Sequence, residues 1–134
     1  MSKKGKAFKI KHSLLVAIIG DEPTVTGFLL TGIGERNRKG EANFMIVTKD
    51  TSTQQIEAGF KKMLEREDIG IILISQHIAE IVRNQIAEHE EVFPTILEIP
   101  AKDYPYDPVK DTILSRAARI LYGNEVGMEK LTSD

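Results

Sequence analysis

Only a few residues in this chain are of types that perform chemistry, and their spacing decides what each can do. Ser75 and His77 stand two apart, as a hydroxyl and a base, but a nucleophile elbow needs Gly-x-Ser-x-Gly and the run here is Ile74-Ser75-Gln76. The histidines, His12, His77 and His89, contain no i, i+4 pair and no His-Glu-x-x-His, so no zinc-type site is expected. Cysteine is absent, which excludes disulfides, thiolate catalysis and zinc–cysteine sites and fits a cytosolic compartment. Gly27, Gly32 and Gly34 follow the first apolar run, where a dinucleotide-binding loop would lie. Counted from Gly32, however, the third glycine falls on Asn37, and the pair closes a helical pattern rather than opening one. No Gly-Lys-Ser/Thr exists for a phosphate loop. No catalytic residue, cofactor or metal is therefore expected.

The elements that must position these residues alternate regularly. Four near-continuous apolar runs, Leu14–Ile19, Asn43–Val47, Ile69–Ile74 and Thr95–Ile99, read as strands buried on both faces. Between them lie helical patterns. One runs from Pro23 to about Ile33, with Val25, Leu29, Leu30 and Ile33 at helical spacing. One opens with Ser52-x-x-Gln55, a capping-box form, and repeats Ile56, Phe60, Met63 and Leu64. A third carries Ile78, Ile81, Val82 and Ile86. Strand and helix alternating this way predict right-handed crossovers and an α/β fold, a small four-stranded parallel sheet between helical layers of the flavodoxin/Rossmann-like type.

In such a sheet, ligands bind at the carboxyl ends of the strands. Asp21-Glu22 closes the first strand with two acids, an arrangement that resembles response-regulator receiver domains. A receiver needs a carboxylate at the end of the third strand, where this chain has Ser75, so a receiver-like signalling or ligand-binding module stands as the alternative reading. The simpler role for Asp21 is to cap the helix that holds Pro23. At the same end of the sheet, Gln76, His77, Ile78 and Glu80, with Arg83 beyond, form a candidate docking edge.

After the fourth strand the pattern changes. Pro100-Ala-Lys-Asp-Tyr-Pro-Tyr-Asp-Pro108 holds three prolines in nine residues and reads as a stiff connector. A last helix is expected from Pro108, capped by Asp107, to Tyr122, where Gly123 stops it. At 100° per residue, Val109, Ile113, Leu114, Ala117, Ala118, Ile120 and Leu121 share about half of its circumference, while Arg116 and Arg119 lie on the polar side. So wide a face covers the edge of its own sheet or packs against another protein's helix.

Expected boundaries are a Lys-rich N-terminus over 1–11, the α/β domain over 12–100, the connector over 101–107, the helix over 108–122 and a tail over 123–134. With 134 residues, 41% of them hydrophobic and 28% charged, the chain is one ordinary globular domain rather than a disordered one. Its longest apolar stretch, Leu14–Ile19, is far below the roughly 18 residues of a membrane span, so no direct membrane insertion is expected. Lys3, Lys4, Lys6, Lys9 and Lys11 face no acid in the first eleven residues, which leaves the remainder at −7 against −2 for the whole chain. An acidic body is no nucleic-acid surface.

Three segments carry a family resemblance: Asp21 to Glu35, Asp68 to Arg83, and Pro94 to Leu114 with its prolines and charges. They resemble the F subunit of eukaryotic vacuolar-type proton ATPases (V-type ATPases), collinearly from about Leu14 to Tyr122. The resemblance implies a non-catalytic central-stalk role. It implies that the chain binds the coiled coil of the D subunit, joins other stalk subunits, turns inside the ring of A and B subunits, and couples ATP hydrolysis there to proton transport. It places the chain in the soluble sector on the cytoplasmic side of acidifying endomembranes such as vacuole, Golgi and endosome. The partner-binding candidates are then Ile113, Leu114, Ala117, Ile120 and Leu121 along the last helix, Arg116 and Arg119 beside them, and the Gln76, His77, Ile78, Glu80 and Arg83 edge.

Overall fold

The computed structural model describes residues 14–123. The Lys-rich start, His12 and the tail beyond Gly123 lie outside them. The described residues form a parallel sheet of β1 (Leu15–Gly20), β2 (Phe44–Ile46), β3 (Ile69–Ser75) and β4 (Thr95–Ile99) in the order β2-β1-β3-β4. β1 and β3 are central and rich in β-branched residues, which suit a pleated surface packed on both sides. Their register pairs Ala17 with Ile72 and Ile18 with Leu73; β3 in turn pairs Leu73 with Leu97.

Pleating sends alternate residues to opposite faces. On one face Ala17, Ile19, Ile72, Ile74 and Ile96 join Ile56, Phe60 and Met63 of α2 (Thr53–Glu65) and Ile78, Ala79, Val82 and Ile86 from the segment after β3 in a single core. Each large aliphatic or aromatic side chain buried there contributes about 1.5–3 kcal/mol. The expected capping box of α2 is present: Ser52 Oγ accepts from the Gln55 N–H at 3.2 Å, and Gln55 Oε1 accepts from the Ser52 N–H at 2.8 Å. On the opposite face α1 (Glu22–Leu30) packs on β1 and β2.

Four local expectations are corrected. α1 ends at Leu30, short of Ile33, because Gly32 and Gly34 follow at φ of +90° and +87°; Leu30 is left 86% exposed. Asp21 holds the N-cap position, but its carboxylate bonds no backbone N–H and accepts instead from the Thr24 hydroxyl at 2.6 Å. The third helix is two short ones, α3 (Gln76–Ala79) and α4 (Arg83–Glu88). The N–H groups of Ile81 and Val82 bond the carbonyls of Ile78 and Ala79, three residues back, which tightens the chain and breaks the α-helical ladder. Lastly, Asp107 caps only a 3₁₀ turn over Pro108–Lys110, and the last helix, α5, spans Thr112–Tyr122 with Asp111 as its cap, accepting from the Leu114 N–H at 3.0 Å. Gly123, at φ +83°, stops it as expected.

Candidate functional site

The order β2-β1-β3-β4 places the topological switch between the carboxyl ends of β1 and β3. Packing fills it. Ser75 is fully buried, and a Cβ added to Gly20 would lie 2.8 Å from its Oγ and 3.5 Å from Thr24 Cβ. Among the described residues no group of three or more His, Cys, Asp or Glu residues is placed to hold a metal ion.

The chemistry at this end of the sheet goes instead into holding the connector. Gln76 is buried and grips the main chain of Asp107 on both sides: its Nε2 donates to the carbonyl at 2.7 Å, and its Oε1 accepts from the N–H at 2.6 Å. The same Nε2 donates to Glu98 Oε1 at 3.2 Å. Arg83 closes on Glu98 with two bonds, 2.7 Å and 3.0 Å, and its Nη1 reaches Thr112 Oγ1 at 3.3 Å. Burial pushes the Glu98 carboxyl above its ordinary pKa, and the nearby Asp111 carboxylate adds to that; the bonds from Arg83 and Gln76 pull against it. His77 stacks on Tyr104 with ring centres 4.1 Å apart. Its pKa is lowered by burial, against the pull of Asp21 and Glu80. Tyr106 donates its hydroxyl to Asp111 at 2.6 Å; its pKa is raised by burial, then by that bond and by the neighbouring carboxylates.

This network corrects the docking-edge expectation for two residues. Gln76 and Ile78 are buried, one spent on the connector and the other in the core, so neither presents a surface. Arg83 is tied to Glu98, and exposed Glu80 pairs with Lys110 at 3.2 Å. Sequence reasoning misses Glu98, Tyr104, Tyr106 and Asp111. Glu98 interrupts an apolar strand, and that single acid is the available signal.

The last helix is docked on its own domain mainly through its small and polar residues, with Ile113 and Ala118 of its apolar half also turned inward. Asp111, Ser115 and Ala118 are buried. Arg116, placed beside the apolar face by the sequence, donates to the carbonyls of Ala87 at 2.9 Å and His89 at 3.1 Å, at the C-terminal end of α4. Ile113 is half-buried against the core. Leu114, Ala117, Ile120 and Leu121 face outward, with Ile120 78% and Leu121 73% exposed, and Arg119 is exposed near them. The helix has spent its small and polar residues and Ile113 at home and kept Leu114, Ile120 and Leu121 free.

Fold and helix together define a small doubly wound α/β protein carrying an amphipathic C-terminal helix with an open apolar arc. The sequence model of the family described as ATP synthase (F/14-kDa) subunit matches residues 16–117. The chain is 56% identical over 103 residues to the F subunit of the V-type proton ATPase of Homo sapiens, covering 77% of this chain and 87% of that one. It is 47% identical over 111 residues to the corresponding F subunit of Dictyostelium discoideum, covering 83% and 92% respectively. A crystal structure of the F subunit of the V-type ATP synthase from Archaeoglobus fulgidus, 27% identical, aligns with a TM-score of 0.49 over 66% of this chain and 99% of that one. The chain belongs to the family of V-type proton ATPase F subunits. That membership displaces the receiver-like alternative.

Proposed function

We propose that the chain is a non-catalytic central-stalk component of a V-type proton-translocating ATPase. It binds the coiled coil of the D subunit, turns with it and the other stalk subunits inside the ring of A and B subunits, and helps carry torque from ATP hydrolysis there toward proton transport. Its place is the soluble sector on the cytoplasmic face of acidifying endomembranes. Among the described residues no helix is long and apolar enough to cross a membrane.

The observation that supports this reading best is the outward arc Leu114, Ala117, Ile120 and Leu121 on a helix that docks mainly through its small and polar residues. An aliphatic side chain buried from such exposure yields about 1.5–3 kcal/mol, and a neighbouring helix with its own apolar stripe is the geometry that covers such an arc. Arg119, at the border, suits an acidic residue on that partner. Gln76, Arg83 and His77 act behind this surface: they fix the connector, and so the pose of α5.

The test is co-expression with the D subunit from the same source, followed by size-exclusion chromatography. The full chain is expected to co-elute with the D subunit, and the chain with Ile120→Asp and Leu121→Asp is expected to elute alone while keeping its circular dichroism. Retained binding by that variant would move the contact off α5.

A further inference from the structure

A groove of about 430 Å³ runs between the last turn of α2 and the end of α4. Four carboxylates line it: Glu65, Glu88, Glu90 and Glu91. All four are exposed, and none has an ion-pair partner among the described residues. Lys61 is the one lysine or arginine in the lining, and Arg116, close by, is spent on the carbonyls of Ala87 and His89. α2 and α4 both end at the groove, so the negative ends of two helix dipoles add to the field of the carboxylates. Leu64, half-buried against the core, gives the lining an apolar spot. Gln85 also lines the groove, and its Oε1 is buried with no donor among the described residues; an N–H entering there satisfies a stranded acceptor.

The chain enters the sheet at the same end. Glu65 lies four residues before β3 and Glu91 four before β4, so the groove stands at the amino ends of these strands. Leu15, which opens β1, pairs with Ile69, and its N–H donates to the Asp68 carbonyl at 2.8 Å. Residues 1–13 precede this point, outside the described residues. They carry Lys3, Lys4, Lys6, Lys9 and Lys11 and no acid, with Phe8 and Ile10 among the last three lysines. Thirteen extended residues span about 40 Å, whereas β1 and β4 are two strand spacings, about 10 Å, apart. Another cleft at this end is lined by Arg36, Arg38, Lys39 and Arg66 as well as by four acids, and so offers lysines no net attraction.

We propose that residues 1–13 lie in the groove between α2 and α4, with their lysines against Glu65, Glu88, Glu90 and Glu91 and with Phe8 or Ile10 over Leu64. An exposed ion pair is weak by itself, but a tethered segment meets the groove at high effective concentration, and several pairs form together. The basic segment then neutralises the groove directly beside the carbonyls that anchor Arg116 of α5. The inference concerns the chain by itself, so it holds or fails independently of the stalk reading.

The chain has no cysteine, so Ala7→Cys carries a single nitroxide on the full-length protein enriched in nitrogen-15. At low salt, the amide signals of Leu64, Glu65 and Glu88 to Glu91 are expected to fall below about half of their intensity with the nitroxide reduced. Those of Arg38, Lys39 and Gly40, at the same end of the sheet, are expected to lose much less. Equal broadening of both sets is what an undocked segment gives and would overturn the proposal, as would intensities unchanged by the nitroxide. Glu88→Gln, Glu90→Gln and Glu91→Gln together are expected to abolish the difference between the two sets, and so is about 0.5 M sodium chloride, which screens exposed charges beyond a few ångströms. A difference that survives both would overturn the pairing of lysines with these carboxylates. All three positions are exposed, and the dispersion of the spectrum reports whether the variant is folded. Unenriched nitroxide-labelled chain mixed with enriched, unlabelled chain is expected to leave the groove signals unchanged; broadening in that mixture would make the occupant a second copy's segment and overturn the intramolecular one.

Discussion

The side-chain amide of Gln76 and the peptide groups of Asp107, 31 residues apart in sequence, satisfy each other twice, at 2.6 Å and 2.7 Å. A residue at the carboxyl end of β3 thereby takes the part of a neighbouring strand and sets the point at which the connector turns toward α5.

Gln76→Ala removes both bonds, together with the one to Glu98, and strands an N–H and a carbonyl of Asp107 in a part-buried site. A stranded group costs about 1–3 kcal/mol, so the expected loss is about 2 kcal/mol, or roughly 4 °C in Tm for each kcal/mol. Hydrogen exchange is expected to rise over residues 104–112 while the β1 amides stay protected. Unchanged exchange there would mean that other contacts hold the connector.

Glu98→Gln leaves the Arg83 guanidinium without its carboxylate. Removing one partner of a buried pair costs about 3–5 kcal/mol, and the side chain of Glu98 is fully buried while that of Arg83 is 25% exposed, so the low end is expected here. The double variant Arg83→Met with Glu98→Met should recover most of the loss, since a neutral pair strands no charge. Urea midpoints of the single and double variants against the parent chain decide this. A double variant as weak as the single one would show that the pair contributes more than charge compensation.

Much of the fold is legible in the chain, for identifiable reasons. The central strands are β-branched runs with no competing helical period, and Ser52 and Gln55 announce α2 three residues apart. The break between α3 and α4 is not legible, because Ile78, Ile81, Val82 and Ile86 keep helical spacing across it; the break follows from tertiary contacts, with Arg83 closing on Glu98 fifteen residues later. Of the candidate site, the arc of α5 follows from periodicity, and Gln76 misleads because a polar residue at the end of a strand resembles surface until its partner, Asp107, is in view. The start of α5 is ambiguous in sequence because Asp107-Pro108 and Asp111-Thr112 both read as caps.

The arc can be separated from the core one residue at a time. Ile120→Asp and Leu121→Asp are expected to change stability by less than about 0.5 kcal/mol, as surface substitutions do, while abolishing co-elution with the D subunit. Ile113→Asp should lower the Tm of the whole domain, because Ile113 packs on the core. Thermal melts followed by circular dichroism distinguish the two sets; a large drop in Tm with Ile120→Asp would mean that α5 docks by its apolar side.

Acid should loosen the lower end of the sheet. Arg66 holds Asp68 with two bonds, of 2.9 Å and 2.8 Å, and this lowers the Asp68 pKa from 3.8 to about 2, against the effect of its partial burial. A carboxylate depressed on folding stabilises the folded state above its unfolded pKa, and that contribution is lost as pH falls from about 4 toward 2. Glu98, raised on folding, works in the other direction above its unfolded pKa. Asp68→Asn is therefore expected to flatten the decline of the urea midpoint between about pH 4 and 2; an equally steep decline would assign the acid sensitivity to other groups.

Arg116 bears on how the molecule comes to be made. α4 has six residues, too few to persist as an isolated helix, and its last turn leaves carbonyls that the Arg116 guanidinium takes up from 27 and 29 residues downstream. The ribosome delivers the first three strands well before it delivers residue 116, and a growing chain orders its early parts first. The end of α4 must therefore wait, without these two bonds, until synthesis has passed residue 116. A chain cut short before Arg116 would carry its sheet but leave α4 frayed, a ready mark for proteolysis of incomplete copies.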